Sequence, residues 1–205
     1  MVRVASLVFA VALAATAGAS PLDEALGRIE AARAGVRTLR ADFTQDKVMS
    51  LFAERMRSTG RLSVLLPDRL RWELLRPDPS VFILSGRTMR YRLPGARGDL
   101  DVRSAGSLGV VLGDLVGFLG GPLAQLRARY RMELGTPEGT AAGQTVVIAT
   151  PLGADVRRSV SRLRMRFEGG RLGAVTIEEP GGDRSEIRFS NVRVNEPLGS
   201  SPFTL

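Results

Sequence analysis

The stretch that decides the fold is Ser58–Gly95, STGRLSVLLPDRLRWELLRPDPSVFILSGRTMRYRLPG. Leu62, Val64 and Leu66 alternate with Arg61, Ser63 and Leu65 until Pro67-Asp68 breaks the run. Leu70, Trp72 and Leu74 then alternate with Arg69, Arg71 and Glu73. A third apolar run, Val81 to Leu84, stops at Ser85-Gly86, and Met89, Tyr91 and Leu93 alternate with Arg90 and Arg92. Alternation with period two puts apolar side chains on one face of a strand and charged ones on the other. The connections are a few residues long, so neighbouring strands pair antiparallel. The stretch therefore reads as a curved four-stranded meander, apolar on its concave face and arginine-covered outside.

Upstream, residues 1–19 have the three parts of a secretory signal peptide. Arg3 gives the positive region, Val4 to Ala15 the apolar region, and Ala17-Gly18-Ala19 an A-x-A cleavage site. The remaining chain, 20–205, is long enough for one domain. From Ser20 a helix is expected, with Pro21 and Asp23-Glu24 suited to its first turn and a stripe of Leu22, Leu26, Ile29, Val36 and Leu39. Arg40 to Lys47 switches to strand spacing with Phe43 inward, and Val48 to Arg57 is either a loop or a continuing hairpin.

Downstream, Gly95 to Gly106 is rich in small residues and reads as a solvated loop. Ser107 to Leu119, SLGVVLGDLVGFL, carries Asp114 as its one charge and is too short to span a bilayer. A helix apolar on nearly every side must be covered on nearly every side. It is either a plain core helix or a movable lid over the concave sheet. Gly109, Gly113 and Gly117 favour the lid, because a fixed core helix would gain about 1 kcal/mol from alanine at each. Gly120-Gly121-Pro122 ends it, and a second helix is expected over Leu123 to Tyr130. Tyr130, Met132 and Leu134, then Thr145 to Thr150, return to strand spacing. Leu163, Met165 and Phe167 alternate with Arg162, Arg164 and Arg166, and turns at Glu168–Arg171 and Pro180–Asp183 lead into two further strands.

Composition excludes much. There is no cysteine and no histidine, so thiolate chemistry, disulfides and the commonest catalytic base are absent. The sequence holds no nucleophile elbow, P-loop or zincin motif, and the reading is of a protein that is not an enzyme and takes no cofactor or metal. Asp99 and Asp101 lack a nearby third ligand, and Glu178-Glu179 read as a surface pair beside arginines. The net charge of +8 comes from arginines spread along strands, with Lys47 the sole lysine. With two tyrosines and one tryptophan for base stacking, nucleic acid is not the expected partner.

Gly60-Arg61-Leu62, Pro67-Asp68, Arg71-Trp72, Pro77-Asp78-Pro79, Ser85-Gly86-Arg87, Tyr91-x-x-Pro94 and the upstream Phe43-Thr44-Gln45 together resemble the periplasmic outer-membrane lipoprotein carriers, the LolA family. The likeness is specific between about Leu39 and Gly95. It implies an α+β fold, a curved antiparallel half-barrel of about ten or eleven strands under a helical lid. It also implies a soluble, monomeric periplasmic carrier of acylated lipoproteins that takes cargo from an inner-membrane ABC-type exporter to an outer-membrane acceptor. The same fold would serve a carrier of another lipid or glycolipid, or a lipid-sensing regulator of envelope stress. The candidate lining is Phe43, Leu62, Val64, Leu70, Trp72, Leu74, Met89, Tyr91, Met165 and Phe167 from strands, with Leu112, Leu115 and Phe118 from the lid. Each fits ordinary core equally well.

Two departures stand out. Where many relatives have an arginine just before the strand-ending proline, thought to hold the lid by hydrogen bonds, this chain has Leu66, which implies closure by apolar contact alone. The final Pro202-Phe203-Thr204-Leu205 resembles the family's late F-x-F strand, without the usual extension after it.

Overall fold

The computed structural model describes residues 19–51, 54–136, 143–199 and 202–205. The expected signal peptide at 1–19 thus lies almost wholly outside the described residues. Helix α1 (Pro21–Ala32) starts at Ser20, whose hydroxyl accepts the Asp23 N–H at 3.2 Å. It ends before Gly35, which takes φ +83°, a conformation that favours glycine. The helix is therefore shorter than its apolar spacing predicts. Leu26 and Ile29 are buried on it, whereas Val36 lies beyond it and Leu39 opens the inner face of β1 (Thr38–Met49).

β1 pairs antiparallel with β2 (Glu54–Leu65) as far as Met49 and Glu54, so 48–49 and 54–57 continue the hairpin. The meander goes on through β3 (Arg69–Arg76), β4 (Ser80–Ser85) and β5 (Thr88–Leu93). Then comes β6 (Ala96–Asp101), where the sequence reads as a loop. Leu93-Pro94-Gly95-Ala96 is a tight hairpin with Gly95 at φ +76°, and β6 pairs with β5 along its whole length. As an edge strand it has one neighbour and no buried face to enforce alternation, which is why its glycine- and aspartate-rich sequence hides it.

A 3-10 turn, Val102–Ser104, leads into helix α2 (Gly106–Gly120) and the short α3 (Leu123–Arg127). That second helix stops before Tyr130, which begins β7 (Tyr130–Leu134). β8 (Gln144–Pro151), the unforeseen single-turn α4 (Ala154–Arg157), β9 (Arg162–Glu168), β10 (Arg171–Glu178) and β11 (Arg184–Val194) complete the chain of elements.

All the strands join one eleven-stranded antiparallel sheet, ordered β6-β5-β4-β3-β2-β1-β11-β10-β9-β8-β7. Two meanders, β1–β6 and β7–β11, are thus fused by pairing of the first strand with the last. β6 and β7 stay unpaired on their outer sides, so the barrel is open. Register sets the inner face: Leu39, Val64, Leu70, Leu84 and Met89 lie side by side across five strands, and Ala41, Leu62, Trp72, Phe82 and Tyr91 form the next row. α1 and α2 cover this concave side and share its main apolar cluster.

The convex side is not arginine throughout. Val81 and Ile83 of β4 point outward and are nonetheless buried, in a second small cluster with Phe203. The segment 202–205 forms no strand; it lies over this patch, held by the Arg71 and Arg90 guanidiniums donating to the Thr204 and Phe203 carbonyls at 2.7 and 2.9 Å. An unbroken Val-Phe-Ile-Leu run is apolar on both faces, so its outer face has to be covered. Elsewhere the outer arginines pair with carboxylates, as Arg188 does with Asp46 and Glu186. Glu178 pairs with Arg162 at 2.8 Å, and Lys47 lies between Glu179 and Asp183.

Candidate functional site: the concave face and its helical lid

Eleven of the thirteen candidate residues come together beneath α2. Phe43, Leu62, Val64, Leu70, Trp72, Met89, Leu112, Leu115, Phe118, Met165 and Phe167 are each at most 2% exposed and belong to one cluster. Leu74 is half-buried against it, and Tyr91 stands half-buried on the same row as Trp72. The candidate set left out Leu163, which shares a face of β9 with Met165 and Phe167, and missed Val175 and Ile177 of β10 and Ile187 of β11, which complete the floor.

Local geometry explains the tightest contacts. Phe43 and Trp72 stack with ring centroids 3.8 Å apart and planes 26° from parallel. The cross-strand neighbour of Phe43 is Gly60, where a Cβ would lie 2.2 Å from the Phe43 ring. The glycine at this bulge gives the ring its room. On the lid, Phe118 meets Tyr130 edge-on at 5.8 Å.

The interior of this closed state is filled by side chains. Among the described residues, the apolar hollow beside the lid is a slot of about 70 Å³ bordered by Val36, Leu39, Leu119, Leu172, Phe189 and Val192. Ligand sites of lipid or drug size occupy about 300–1,000 Å³. A slot of that size does not hold an acyl chain with α2 in this position.

The glycines of α2 have a different meaning from the one their spacing gives. A Cβ on Gly109 would sit 2.1 Å from the Val102 carbonyl oxygen, on Gly113 3.2 Å from the Val102 side chain, and on Gly117 3.1 Å from Leu126. They form a groove that lets the 3-10 turn and α3 pack close against the lid. Alanine would be no gain at Gly109, where the clash is with backbone, and at Gly113 and Gly117 it would press on the Val102 and Leu126 side chains.

Polar contacts hold the helix at two places. Arg33 is 6% exposed and donates to the carbonyls of Phe118 (2.6 Å) and Gly121 (2.8 Å), the orphan acceptors at the C-terminal end of α2. Its neighbour Glu30 accepts the Leu123 N–H at 2.8 Å, the first of α3. A cation thus meets a helix C-terminus and an anion a helix N-terminus, the favourable sense of both dipoles. Burial draws the Arg33 pKa down to about 10, against the pull of Glu30. Closure by apolar contact alone is therefore corrected: Leu66 packs beside Gly120, and a different arginine supplies the hydrogen bonds. Leu22, Leu26, Ile29 and Arg33 are spaced by three or four, so Arg33 continues the helix's apolar stripe, a signal that it is buried and must have partners.

The second place is mid-helix. Asp114, 2% exposed, accepts hydrogen bonds from Arg129 and from the Tyr130 hydroxyl. Burial raises its pKa against the opposing effects of Tyr130 and Arg129, and burial likewise raises that of Tyr130. No cluster of three or more potential metal ligands occurs among the described residues, and none of their helices is long and apolar enough to cross a membrane.

An open half-barrel with a helix across its apolar concavity is a shape shared with known proteins. Residues 34–205 match the family described as outer membrane lipoprotein carrier protein LolA. The chain belongs to the LolA family. An outer-membrane lipoprotein carrier protein from Dechloromonas aromatica is 28% identical over 167 residues, covering 82% of this chain and 76% of the relative. One from Chromobacterium violaceum is 25% identical over 194 residues, covering 95% and 89%. Among solved structures, a LolA superfamily protein from Nitrosomonas europaea superposes with a TM-score of 0.54 at 10% identity, over 89% of this chain and 96% of that one. At that identity the superposition speaks for the fold, and it agrees with the curved sheet and lid seen here.

Proposed function

We propose that this LolA-family protein is a non-catalytic, monomeric periplasmic carrier. It would hold the acyl chains of lipoproteins between the concave sheet and α2, moving them from an inner-membrane ABC-type exporter to an outer-membrane acceptor. The observation that carries the reading is family membership over 34–205 combined with an apolar concave face covered by α1 and α2.

The filled interior fits such a role when the energies are compared. Lifting α2 exposes Val111, Leu112, Leu115, Val116, Phe118 and Leu119, at a cost on the order of 10–20 kcal/mol. A sixteen-carbon acyl chain gains about 12 kcal/mol on leaving water. Two chains thus exceed the cost of displacing the lid by roughly 4–14 kcal/mol, which stays within the range of reversible binding. In this scheme hydrocarbon takes over the lid's own contacts with Phe43, Leu62, Val64, Leu70, Trp72, Leu74, Met89, Tyr91, Met165 and Phe167, while Leu112, Leu115 and Phe118 close back over it. Flexible methionines at 89 and 165 suit an irregular ligand.

The test is retention. Purified carrier mixed with a detergent-free acylated lipoprotein should keep it soluble and co-elute with it, while the unacylated form should elute alone. Binding of the unacylated form with precipitation of the acylated one would end this reading. Mass spectrometry of co-purifying material separates lipoprotein cargo from a free lipid or glycolipid. Recovery of a membrane-bound anti-sigma factor in place of an exporter subunit would favour an envelope-stress role.

A further inference from the structure

Beside the lid, at the open seam of the half-barrel, lies a cleft of about 820 Å³ that the lipid-holding reading does not use. One wall is the β4–β5 turn and the end of β6, with Arg87 and Asp101; the other is the start of β7 and α4, with Arg129, Asp155 and Arg158. Gly113 of α2 forms the edge between them.

The charges are of both signs. Arg87 pairs with Asp101 at 3.5 Å, and Arg129 is engaged with Asp114 of the lid. Among the described residues, Arg158 has no carboxylate within 4 Å, and Asp155 has no cation as close. An exposed donor and an exposed acceptor, neither in an ion pair among the described residues, match a neutral chain of alternating N–H and C=O groups better than a simple anion. The floor is of another kind. Val156 is 6% exposed and belongs to the main apolar cluster, and Val102 packs against that cluster. The cleft floor thus adjoins the apolar cluster on which hydrocarbon would lie, as a site for a molecule that changes from apolar to polar along its length.

Resting on the carrier reading above, we infer that this seam cleft is the subsite for the polypeptide that follows the acylated residue of the cargo. Arg158 donates to its backbone carbonyls and Asp155 accepts from its N–H groups, while the acyl chains lie under α2. Arg129, about half exposed and shared between the cleft and Asp114, ties the peptide's presence to the lid.

The probe is a synthetic diacylated lipopeptide with a short uncharged polar tail, compared with palmitate, which has tails only. A photo-crosslinking residue replaces Ser159 in the cleft or, as a control, Arg61 on the convex face. Expected is crosslinking of the loaded lipopeptide from position 159 and not from 61, mapped to the residues just after the acylated one. The double variant D155A/R158A should release the lipopeptide roughly tenfold faster, the equivalent of one or two hydrogen bonds, and release palmitate at the wild-type rate. Loading without a crosslink at 159, or equal acceleration for both probes, would overturn the subsite and leave the carrier reading standing. Failure to load either probe would overturn both.

Discussion

The two ends of helix α2 are held in unlike ways. At the C-terminal end the Gly121 N–H closes back on the Val116 and Gly117 carbonyls. Arg33 satisfies two further carbonyls, and Glu30 fixes the start of α3. At the N-terminal end Ala105 offers no side-chain cap and no acidic residue occupies the first turn; Gly109 packs closely on the Val102 carbonyl, and the Val102 N–H donates to the Arg87 carbonyl at 3.0 Å. Between them Asp114 makes one buried polar attachment to β7. Among the described residues, buried side-chain hydrogen bonds hold the C-terminal end and none is seen at the N-terminal end, which gives the second the lower local stability. On the carrier reading, the C-terminal corner would serve as the pivot and the N-terminal end would be the part that lifts.

That contrast can be broken by substitution. The largest effect is expected for R33A, which leaves two buried carbonyls without a donor and should cost about 3 kcal/mol in urea unfolding. A wild-type midpoint would show that the C-terminal clamp carries nothing. Next comes G109A, whose methyl must displace the Val102 carbonyl. It should cost about 2 kcal/mol and raise the fluorescence of an apolar dye as the N-terminal end loosens, whereas a gain in stability would restore the simple propensity argument.

D114N is expected to cost about 1 kcal/mol near neutral pH and to flatten a pH dependence. Burial raises the Asp114 pKa, so the native state binds this proton more tightly than the unfolded chain. Its contribution to stability is then fully present below about pH 4 and is lost as pH rises through the raised native value. Arg129 and Tyr130, with Asp155 acting on Tyr130, are the charged or titratable groups packed around it. Melting temperature should fall with rising pH more steeply in wild type than in D114N; superposable profiles would refute the sign. The smallest effect, about 0.5 kcal/mol, belongs to E30Q, which keeps an acceptor for the Leu123 N–H and loses only the charge at the start of α3. A loss as large as that of R33A would mean that the pivot depends on charge more than on hydrogen bonding.

The legibility of the sequence follows the same division. Alternation across 61–64, 69–74, 89–92 and 162–167 assigns each side chain to a face, and the structure places those residues as that assignment requires, whereas the unbroken run 81–84 assigns none. The inward-facing set was readable for the same reason: Trp72 or Met165 can turn inward only if its arginine neighbours turn outward. β6 was not readable because a solvated edge strand has no face to bury, and α4 because a single turn has no period. Val36 and Leu39 match a helical stripe that the turn at Gly35 interrupts, since one conformational switch overrides several residues of pattern. Phe203 looked like strand sequence, but what fixes its place is an apolar patch on β4 more than a hundred residues away in the chain.

By itself, the amino-acid order determined a sheet with one apolar face, a helix that must be covered on nearly all sides, and a chemistry without cysteine or histidine. These follow from neighbours one to four residues apart, whose spacing sets which way side chains point. Only the tertiary structure decided that the concavity is filled when closed, that the lid's glycines are a packing groove, and that Arg33 holds the lid at Phe118 and Gly121. Those depend on atoms brought together from distant parts of the chain, where burial, and not spacing, requires each polar group to find its partner.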